Sequence, residues 1–226
     1  MKDFKALQKK IGTDFKDEQL LITAFVHRSY LNENSDFKEH NERLEFLGDA
    51  VLELVSTDYL YQNYPNPEGE LTSWRSALVK TETISDAAKS LGFEDYLFMS
   101  RGESKSKGRA RQLILANSFE AVIGAIYLDQ GYDAAKEFIS KNLLKILPEI
   151  LEKKLYVDPK SQLQELAQRK ESITPKYEVL EESGPDHARI FKIGVFLEKR
   201  KIGEGEGMSK QLAQQNAAEN ALKSYK

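Results

Sequence analysis

Apolar residues recur every three or four positions through roughly the first 150 residues, which is the spacing of one face of an α-helix. A Pro- and Gly-containing turn over Tyr64–Gly69 and a polar run over Arg101–Arg111 interrupt the pattern. No strand-like alternation occurs here, so residues 3–150 are predicted to form an all-α domain. Its predicted helices are Asp17–Ala24, Glu39–Gln62, Leu71–Leu91, Gln112–Gln130 and Ala134–Leu151.

The pattern changes after residue 150. A charged stretch, residues 151–157, is typical of a linker, and an amphipathic helix is predicted over Lys160–Arg169. The apolar period then becomes two, which predicts three strands between Tyr177 and Glu206. A last helix is predicted to begin after Ser209 as its N-cap, with alanines along one face. Residues 158–226 are therefore predicted to form an α+β domain of order α-β-β-β-α.

Composition is that of an ordinary folded protein: 226 residues, 40% hydrophobic and 31% charged. The chain contains no cysteine, which excludes disulfides, thiol catalysis and thiolate zinc sites. It has no apolar run approaching the roughly 18 residues of a membrane span and no signal-like apolar segment near Met1. We therefore expect a cytoplasmic protein without a membrane partner.

The formal net charge of −3 argues weakly against nucleic-acid binding. However, the part from Asp158 onward carries 12 Lys and Arg against 11 Asp and Glu, so the acidic excess lies in the helical part. Any basic surface must therefore be local.

The segment Asn41–Ala50 sets three carboxylates among large apolar side chains. Glu42, Glu45 and Asp49 are spaced i, i+3 and i+7, so they share one helix face. Carboxylates held beside buried residues are costly unless a cation or hydrogen bonds compensate them. A bound hard divalent metal is one interpretation; a partly solvated acidic face is the alternative.

The helix beginning near Gln112 carries two further polar side chains that could bind a metal. Asn117 and Glu120 stand i, i+3 in a mostly apolar segment. Facing helices of a bundle can build carboxylate metal sites in this way. Glu45, Asp49, Asn117 and Glu120 would together present four oxygen ligands, which suits Mg²⁺, and Mn²⁺ could substitute.

The carboxylate helix also carries two apolar faces. Leu44, Leu47, Val51 and Val55 form one, and Phe46, Ala50 and Leu54 form the other. One face can pack on the chain's own helices while the second meets a two-fold mate; a purely intrachain core is the alternative.

These residues resemble a known family. The segment His40–Asp49 looks like the signature of bacterial ribonuclease III, and the match extends to Phe119–Asp129, Gly102-Glu103 and Leu20–Ser29. The C-terminal part resembles a double-stranded-RNA-binding domain. The resemblance covers almost the whole chain.

The resemblance implies a homodimeric endonuclease that cuts double-stranded RNA with magnesium and leaves 5′-phosphate and 3′-hydroxyl ends with short 3′ overhangs. Asp49 and Glu120 match the catalytic positions, and with Glu45 they match the family's metal-site carboxylates. Glu42 and Glu68 match secondary acids near the scissile phosphate. By the same resemblance Phe46 packs into the partner subunit, and the substrates are ribosomal RNA precursors and structured messages.

One position departs from the family, which usually has Asp where this chain has Asn117. The neutral amide lowers the site's charge and should weaken metal affinity. Asn117 could be a tolerated variant that acts through its carbonyl or a bound water, which is the interpretation we adopt, or an engineered inactivating change.

The predicted RNA-binding domain offers polar groups suited to A-form RNA. Gln162 and Glu165 could face one minor groove, and the loop containing His187 could reach the next. Ser209 and Lys210 begin the last helix, where free amides favour phosphate. The family tends to have further basic residues where this chain has Gln211 and Gln214, so we expect weaker, less salt-dependent binding.

Two rival functions remain at this point. The chain could grip duplex RNA without cutting it because Asn117 disables the site, or it could be a helical scaffold with a solvated acidic face.

Overall fold

The computed structural model describes residues 2–185 and 189–225. The chain divides into two units, Met1–Tyr156 and Val157–Lys226. The first unit is helical. Its helices are α1 (Phe4–Ile11), α2 (Glu18–Ala24), α3 (Arg28–Leu31), α4 (Glu42–Asn63), α5 (Glu68–Leu78), α6 (Thr81–Ser90), α7 (Arg109–Gln130), α8 (Tyr132–Asn142) and α9 (Leu147–Glu152), with short 3-10 turns at Phe93–Tyr96, Glu103–Lys105 and Leu144–Ile146.

The long helix α7 is the centre of this unit. Its 22 residues include a run from Ala121 to Ile126 in which every residue is buried, so α7 is apolar nearly all round. Such a helix must be enclosed by neighbours. Helix α4, also 22 residues long, packs along it together with α2, α6 and α8. Around α7 the buried side chains form one core that extends to Phe4, Phe25, Phe93 and Phe138.

Two helices predicted as continuous are divided. The predicted Leu71–Leu91 helix is α5 and α6, because Lys80 adopts an extended conformation between them. The Thr83 hydroxyl donates to the carbonyl of Ala77 across this break, at 2.9 Å. No Gly or Pro marks the position, so the prediction missed it. Helices α1 and α3 were also missed, since both are short.

The predicted Ala134–Leu151 helix is interrupted in the same way. Helix α8 ends at Asn142, a 3-10 turn follows, and α9 begins at Leu147 with Pro148 in its first turn. Proline lacks the amide hydrogen and clashes with the carbonyl four residues earlier, so it is tolerated at a helix start and not in its interior.

The second unit has the predicted α-β-β-β-α order. Helix α10 (Pro159–Glu171) precedes strands β1 (Lys176–Ser183), β2 (Ile190–Leu197) and β3 (Arg200–Gly207), and α11 (Lys210–Ser224) ends the unit. The strands pair antiparallel in the order β1-β2-β3. Leu163 of α10, Val195 of β2 and the alanines Ala217, Ala218 and Ala221 of α11 form its core. The predicted fold class is confirmed.

Close packing of α11 on β3 depends on alternate glycines. Gly203, Gly205 and Gly207 all face α11, and a Cβ at Gly205 would lie 2.2 Å from the backbone nitrogen of Ala217. A side chain at these strand positions would force the helix away from the sheet. The small residues on both elements therefore let the helix lie directly on the strand.

None of the helices in the described ranges is long and apolar enough to cross a lipid bilayer.

Candidate active site

Helices α4 and α7 approach one another at backbone distance. A Cβ at Gly48 would lie 1.8 Å from the carbonyl oxygen of Glu120, and one at Gly124 would lie 2.2 Å from that of Leu44. Real Cβ contacts essentially never fall below 3.0 Å. Both positions therefore require glycine, and the contact fixes the relative position of the two helices.

This crossing brings the two predicted pairs of polar residues together. Glu45 and Asp49 flank Gly48 on α4, and Asn117 and Glu120 precede Gly124 on α7. Asp49 is exposed, whereas Glu45, Asn117 and Glu120 are half-buried. One seam between α4 and α7 thus carries side chains from two helices that are distant in sequence: Glu45, Asp49, Asn117 and Glu120.

Electrostatic coupling across the seam is strong. Burial, followed by the charges of Asp49 and Glu45, raises the pKa of Glu120 to about 8. Burial and the charges of Glu42 and Asp49 also raise the pKa of Glu45. The three carboxylates repel one another because no positively charged side chain offsets them among the causes of either shift.

Asn117 has a specific partner in this group. Its side chain hydrogen-bonds the Glu45 carboxyl, which opposes the rise in the pKa of Glu45. The amide nitrogen can donate to a carboxylate, whereas an ionised Asp can only accept. An ionised Asp at this position would replace that favourable interaction with repulsion between two carboxylates.

The secondary acids lie in different places. Glu42 is exposed, with its carboxylate 3.6 Å from Arg28 Nη1 and 3.9 Å from His40 Nδ1, and its charge acts on Glu45. Glu68 begins α5, beyond the far end of α4. Because α4 rises about 1.5 Å per residue, its end at Asn63 lies roughly 20 Å from Asp49. Within one chain, the structure does not bring Glu68 to the carboxylates.

In the described part of the chain, no three His, Asp or Glu side chains converge closely enough to hold a metal ion as they stand. The donor set nevertheless fits a hard divalent cation, since all four side chains offer oxygen, three of them are half-buried, and the carboxylates carry negative charge that such a cation would neutralise.

The second unit places the predicted RNA contacts on its helices. Gln162 and Glu165 are exposed on α10. The Ser209 hydroxyl caps α11 by accepting from the amide of Leu212 at 3.2 Å. The Lys210 ammonium lies 3.2 Å from Glu182 Oε1, so part of its charge is already paired. His187 lies outside the described residues.

Comparison with known proteins decides the family. Residues 17–147 match the family model described as Ribonuclease-III-like, and residues 159–225 match the double-stranded RNA binding motif. The chain belongs to the ribonuclease III family. Members of this family are double-stranded-RNA endoribonucleases that generally depend on a divalent metal, so the predicted enzyme class is confirmed.

Relatives in the ribonuclease III family match almost end to end. The chain is 49% identical to Ribonuclease 3 of Protochlamydia amoebophila (strain UWE25), over 96% of this chain and 90% of that protein. It is 46% identical to Ribonuclease 3 of Geobacillus thermodenitrificans (strain NG80-2), over 99% of this chain and 91% of that protein.

A crystal structure of the nuclease domain of Campylobacter jejuni ribonuclease III matches with a TM-score of 0.58 and 39% identity, over 66% of this chain and 98% of that chain. Another structure of that domain, with 38% identity, a TM-score of 0.58 and coverage of 65% of this chain and 99% of that chain, is described as showing structural flexibility in a region involved in dimer formation.

Sequence reasoning missed the glycines at the crossing. Gly48 and Gly124 each interrupt a run of large apolar residues beside a candidate carboxylate. That pattern is a usable signal, because a helix interior normally avoids glycine unless backbones must approach.

Proposed function

We propose that this chain hydrolyses phosphodiester bonds of double-stranded RNA with Mg²⁺ and leaves 5′-phosphate and 3′-hydroxyl ends with short 3′ overhangs. The observation that carries this proposal is the glycine-mediated crossing of α4 and α7, which sets Glu45, Asp49, Asn117 and Glu120 along one seam. Family membership gives the reaction class, and this seam is the place where the chain can perform it.

Glu45, Asp49 and Glu120 would hold the metal, with the side-chain oxygen of Asn117 as a neutral fourth ligand or an anchor for water. Mn²⁺ offers the same preference for oxygen ligands and would substitute. When bound, the cation supplies a water of lowered pKa, Lewis-acid stabilisation of the phosphoryl oxygens and orientation of the scissile phosphate. No serine or histidine nucleophile is required.

The protein's own residues set the charge of the site. Because the pKa of Glu120 is about 8, this carboxyl retains its proton at neutral pH until a positive charge approaches. Asp49 and Glu120 are the proposed catalytic acids, because they match the family's catalytic positions. Glu42 lies near Arg28 and His40, and its charge acts on Glu45. Its proposed role is that of a secondary acid near the scissile phosphate.

A second copy of the chain is the proposed partner of α4. Phe46 is 82% exposed, Leu54 57% and Tyr61 79%, while Leu44, Val51 and Val55 on the other side are buried. The predicted division of α4 into an inner and an outer apolar face is therefore present. Large apolar patches of this kind mark interaction surfaces.

The proposed binding site for the exposed ring of Phe46 is a cleft beside the same helix. A cleft of about 570 Å³ lies between α4 and α5, lined by Leu60, Tyr61, Tyr64 and Leu71 among others. Since a two-fold interface is self-complementary, each Phe46 can enter the cleft of the other copy. Glu68 lines this cleft, so the arrangement would also bring Glu68 towards the carboxylates of the second copy.

The second unit is the proposed duplex-binding module. Gln162 and Glu165 on the exposed side of α10 suit the 2′-hydroxyls of a minor groove. His187, which lies outside the described residues, remains a proposed contact. Ser209 and Lys210 place the start of α11 against phosphates. The proposed substrates are ribosomal RNA precursors and structured messages, and the proposed location is the cytoplasm.

The test is incubation of a long RNA duplex with and without Mg²⁺, using wild-type protein and Glu120→Gln. We expect wild-type cleavage only with Mg²⁺, and duplex binding without cleavage for the variant. Binding without cleavage by the wild type at every Mg²⁺ concentration would establish the rival function, a duplex-RNA-binding protein. Near-normal turnover of Glu120→Gln would refute the assignment of the seam.

A further inference from the structure

The start of α11, which the proposed function places against RNA, has fewer positively charged residues than the family usually has there. Lys210 and Gln214 are spaced i, i+4, so they lie on one face of α11, and Gln211 is also uncharged. Lys210 is partly paired with Glu182 at 3.2 Å. If α11 alone met the phosphates, it would present little net positive charge on this face.

A cation from another helix occupies this face. The Lys160 ammonium, from the first turn of α10, donates to Gln214 Oε1 at 2.7 Å. It also lies 4.9 Å from the centre of the Tyr177 ring on β1. Hydrogen bond and ring together hold the ammonium about one helical turn from Lys210.

The charge of Lys160 is held without being cancelled. Its hydrogen-bond acceptor is a neutral amide, and among the described residues no carboxylate oxygen forms an ion pair with it within 4.0 Å. Gln214 also keeps both amide hydrogens for an acceptor outside the protein, since its oxygen receives the bond. The Tyr177 ring that lies against the Lys160 ammonium is itself held in place, because Tyr177 packs against the core of this unit.

We propose that Lys160 is a phosphate-binding residue of this chain, positioned by Gln214 and Tyr177 so that α10 supplies the charge that Gln211 and Gln214 of α11 lack. The ligand group is the phosphodiester backbone of duplex RNA. This inference rests on the proposed RNA-binding function of the second unit. It replaces our expectation of weak salt dependence, because a held cation releases a counterion from the duplex as a lysine on α11 would.

The test is duplex-RNA affinity without divalent metal, measured from low to moderate salt. Lys160→Gln should weaken binding several-fold and reduce the slope of log K against log salt by about 0.9, the value for one lost phosphate contact. Lys160→Arg keeps the charge and should retain most of the affinity. Lys223→Gln is the matched control, since Lys223 is an exposed lysine in the last turn of α11, 3.6 Å from Glu219, and should change neither quantity.

Gln214 variants test the positioning role. Gln214→Glu should pair with Lys160 and weaken binding about as much as Lys160→Gln does. Gln214→Ala leaves the charge but removes its anchor, so affinity should fall with a smaller change in slope. Gln214→Glu also tests the inference independently of whether Lys160→Gln folds.

The outcomes separate the two proposals. If the wild type does not bind duplex RNA, the proposed function fails and this inference fails with it. If the wild type binds and Lys210→Ala weakens binding, but Lys160→Gln and Gln214→Glu have no effect on affinity or slope, only this inference is overturned.

Discussion

Gly48→Ala is the sharpest perturbation that the structure suggests. The added methyl group would lie 1.8 Å from the carbonyl oxygen of Glu120, and the obstacle is helix backbone that cannot rotate away. Restoring a separation of 3.0 Å requires α4 and α7 to move apart by about 1.2 Å. The same movement separates Glu45 and Asp49 from Asn117 and Glu120.

The expected magnitude follows from two opposing effects. Alanine favours a helix over glycine by about 0.5–1 kcal/mol. Overpacking costs about 1–3 kcal/mol, and the upper end applies here because a core crossing must open. We therefore expect a net loss of about 2 kcal/mol in the free energy of unfolding. A displacement of about 1 Å at a catalytic site costs about a hundredfold in rate.

Two measurements check this prediction. Urea unfolding can be followed through Trp74, the only tryptophan of the chain, which is 7% exposed and lies in the helical unit. Cleavage of a defined duplex under single-turnover conditions, at saturating Mg²⁺, reports the site. Gly69→Ala is the matched control, because Gly69 is also helical but a Cβ there meets nothing within 4 Å. It should be neutral or stabilising, by up to about 1 kcal/mol.

The reasoning is refuted if Gly48→Ala unfolds at the wild-type urea midpoint and cleaves at the wild-type rate. A variant that is destabilised but cleaves normally while folded would show that the crossing supports the fold without setting the site.

Three further predictions concern charge and assembly. In metal-free protein, burial and the neighbouring carboxylates raise the pKa of Glu120 to about 8, so wild-type stability falls as pH rises from about 4.5 and the loss is complete above about 8. Glu120→Gln removes this dependence. The free energy of unfolding of the variant, measured with urea, should therefore exceed that of wild type by an amount that grows over this range, by about 1.4 kcal/mol for each unit of pKa shift removed. Parallel stability curves would contradict this. Asn117→Asp should lower the stability of the metal-free protein, because the new carboxylate repels Glu45. It should tighten Mg²⁺ binding several-fold in calorimetry, and duplex affinity, the control, should stay unchanged. Unaltered Mg²⁺ affinity would show that residue 117 is not a ligand. Phe46→Ala should raise the dimer dissociation constant by about a thousandfold in sedimentation, since two symmetric anchors are worth about 2 kcal/mol each. Val179→Ala, at an apolar side chain that is 43% exposed on β1 of the second unit, should leave the mass unchanged. An intact Phe46→Ala dimer would refute the anchor.

Periodicity predicted the elements that carry long, regular patterns. The helices around Glu45 and Glu120, the three strands and the Ser209 cap lie where the sequence placed them, because apolar spacing records which face is buried. The breaks near Lys80 and Leu143 were missed. The break at Lys80 carries no Gly or Pro, whereas the break before Leu147 was signalled by Pro148, which the prediction passed over.

The chemistry of the site was visible in the sequence as residue types at helical spacing. Glu45, Asp49, Asn117 and Glu120 were each identified because a polar side chain among core residues is costly without a partner. Their grouping into one seam was a hypothesis, since the sequence gives no distance between helices that are some 70 residues apart. That the Asn117 side chain acts on the pKa of Glu45 required the structure.

The sequence by itself determined the family, the order of the two domains and the face on which each helix buries its apolar residues, because these are properties of local pattern and composition. Only the tertiary structure decided that Gly48 and Gly124 bring two backbones into contact, that Glu68 stands away from the acids of its own chain, and that Lys160 reaches across to Gln214. These are distances between segments far apart in the chain. They are set by how helices and sheet pack, which no local pattern encodes.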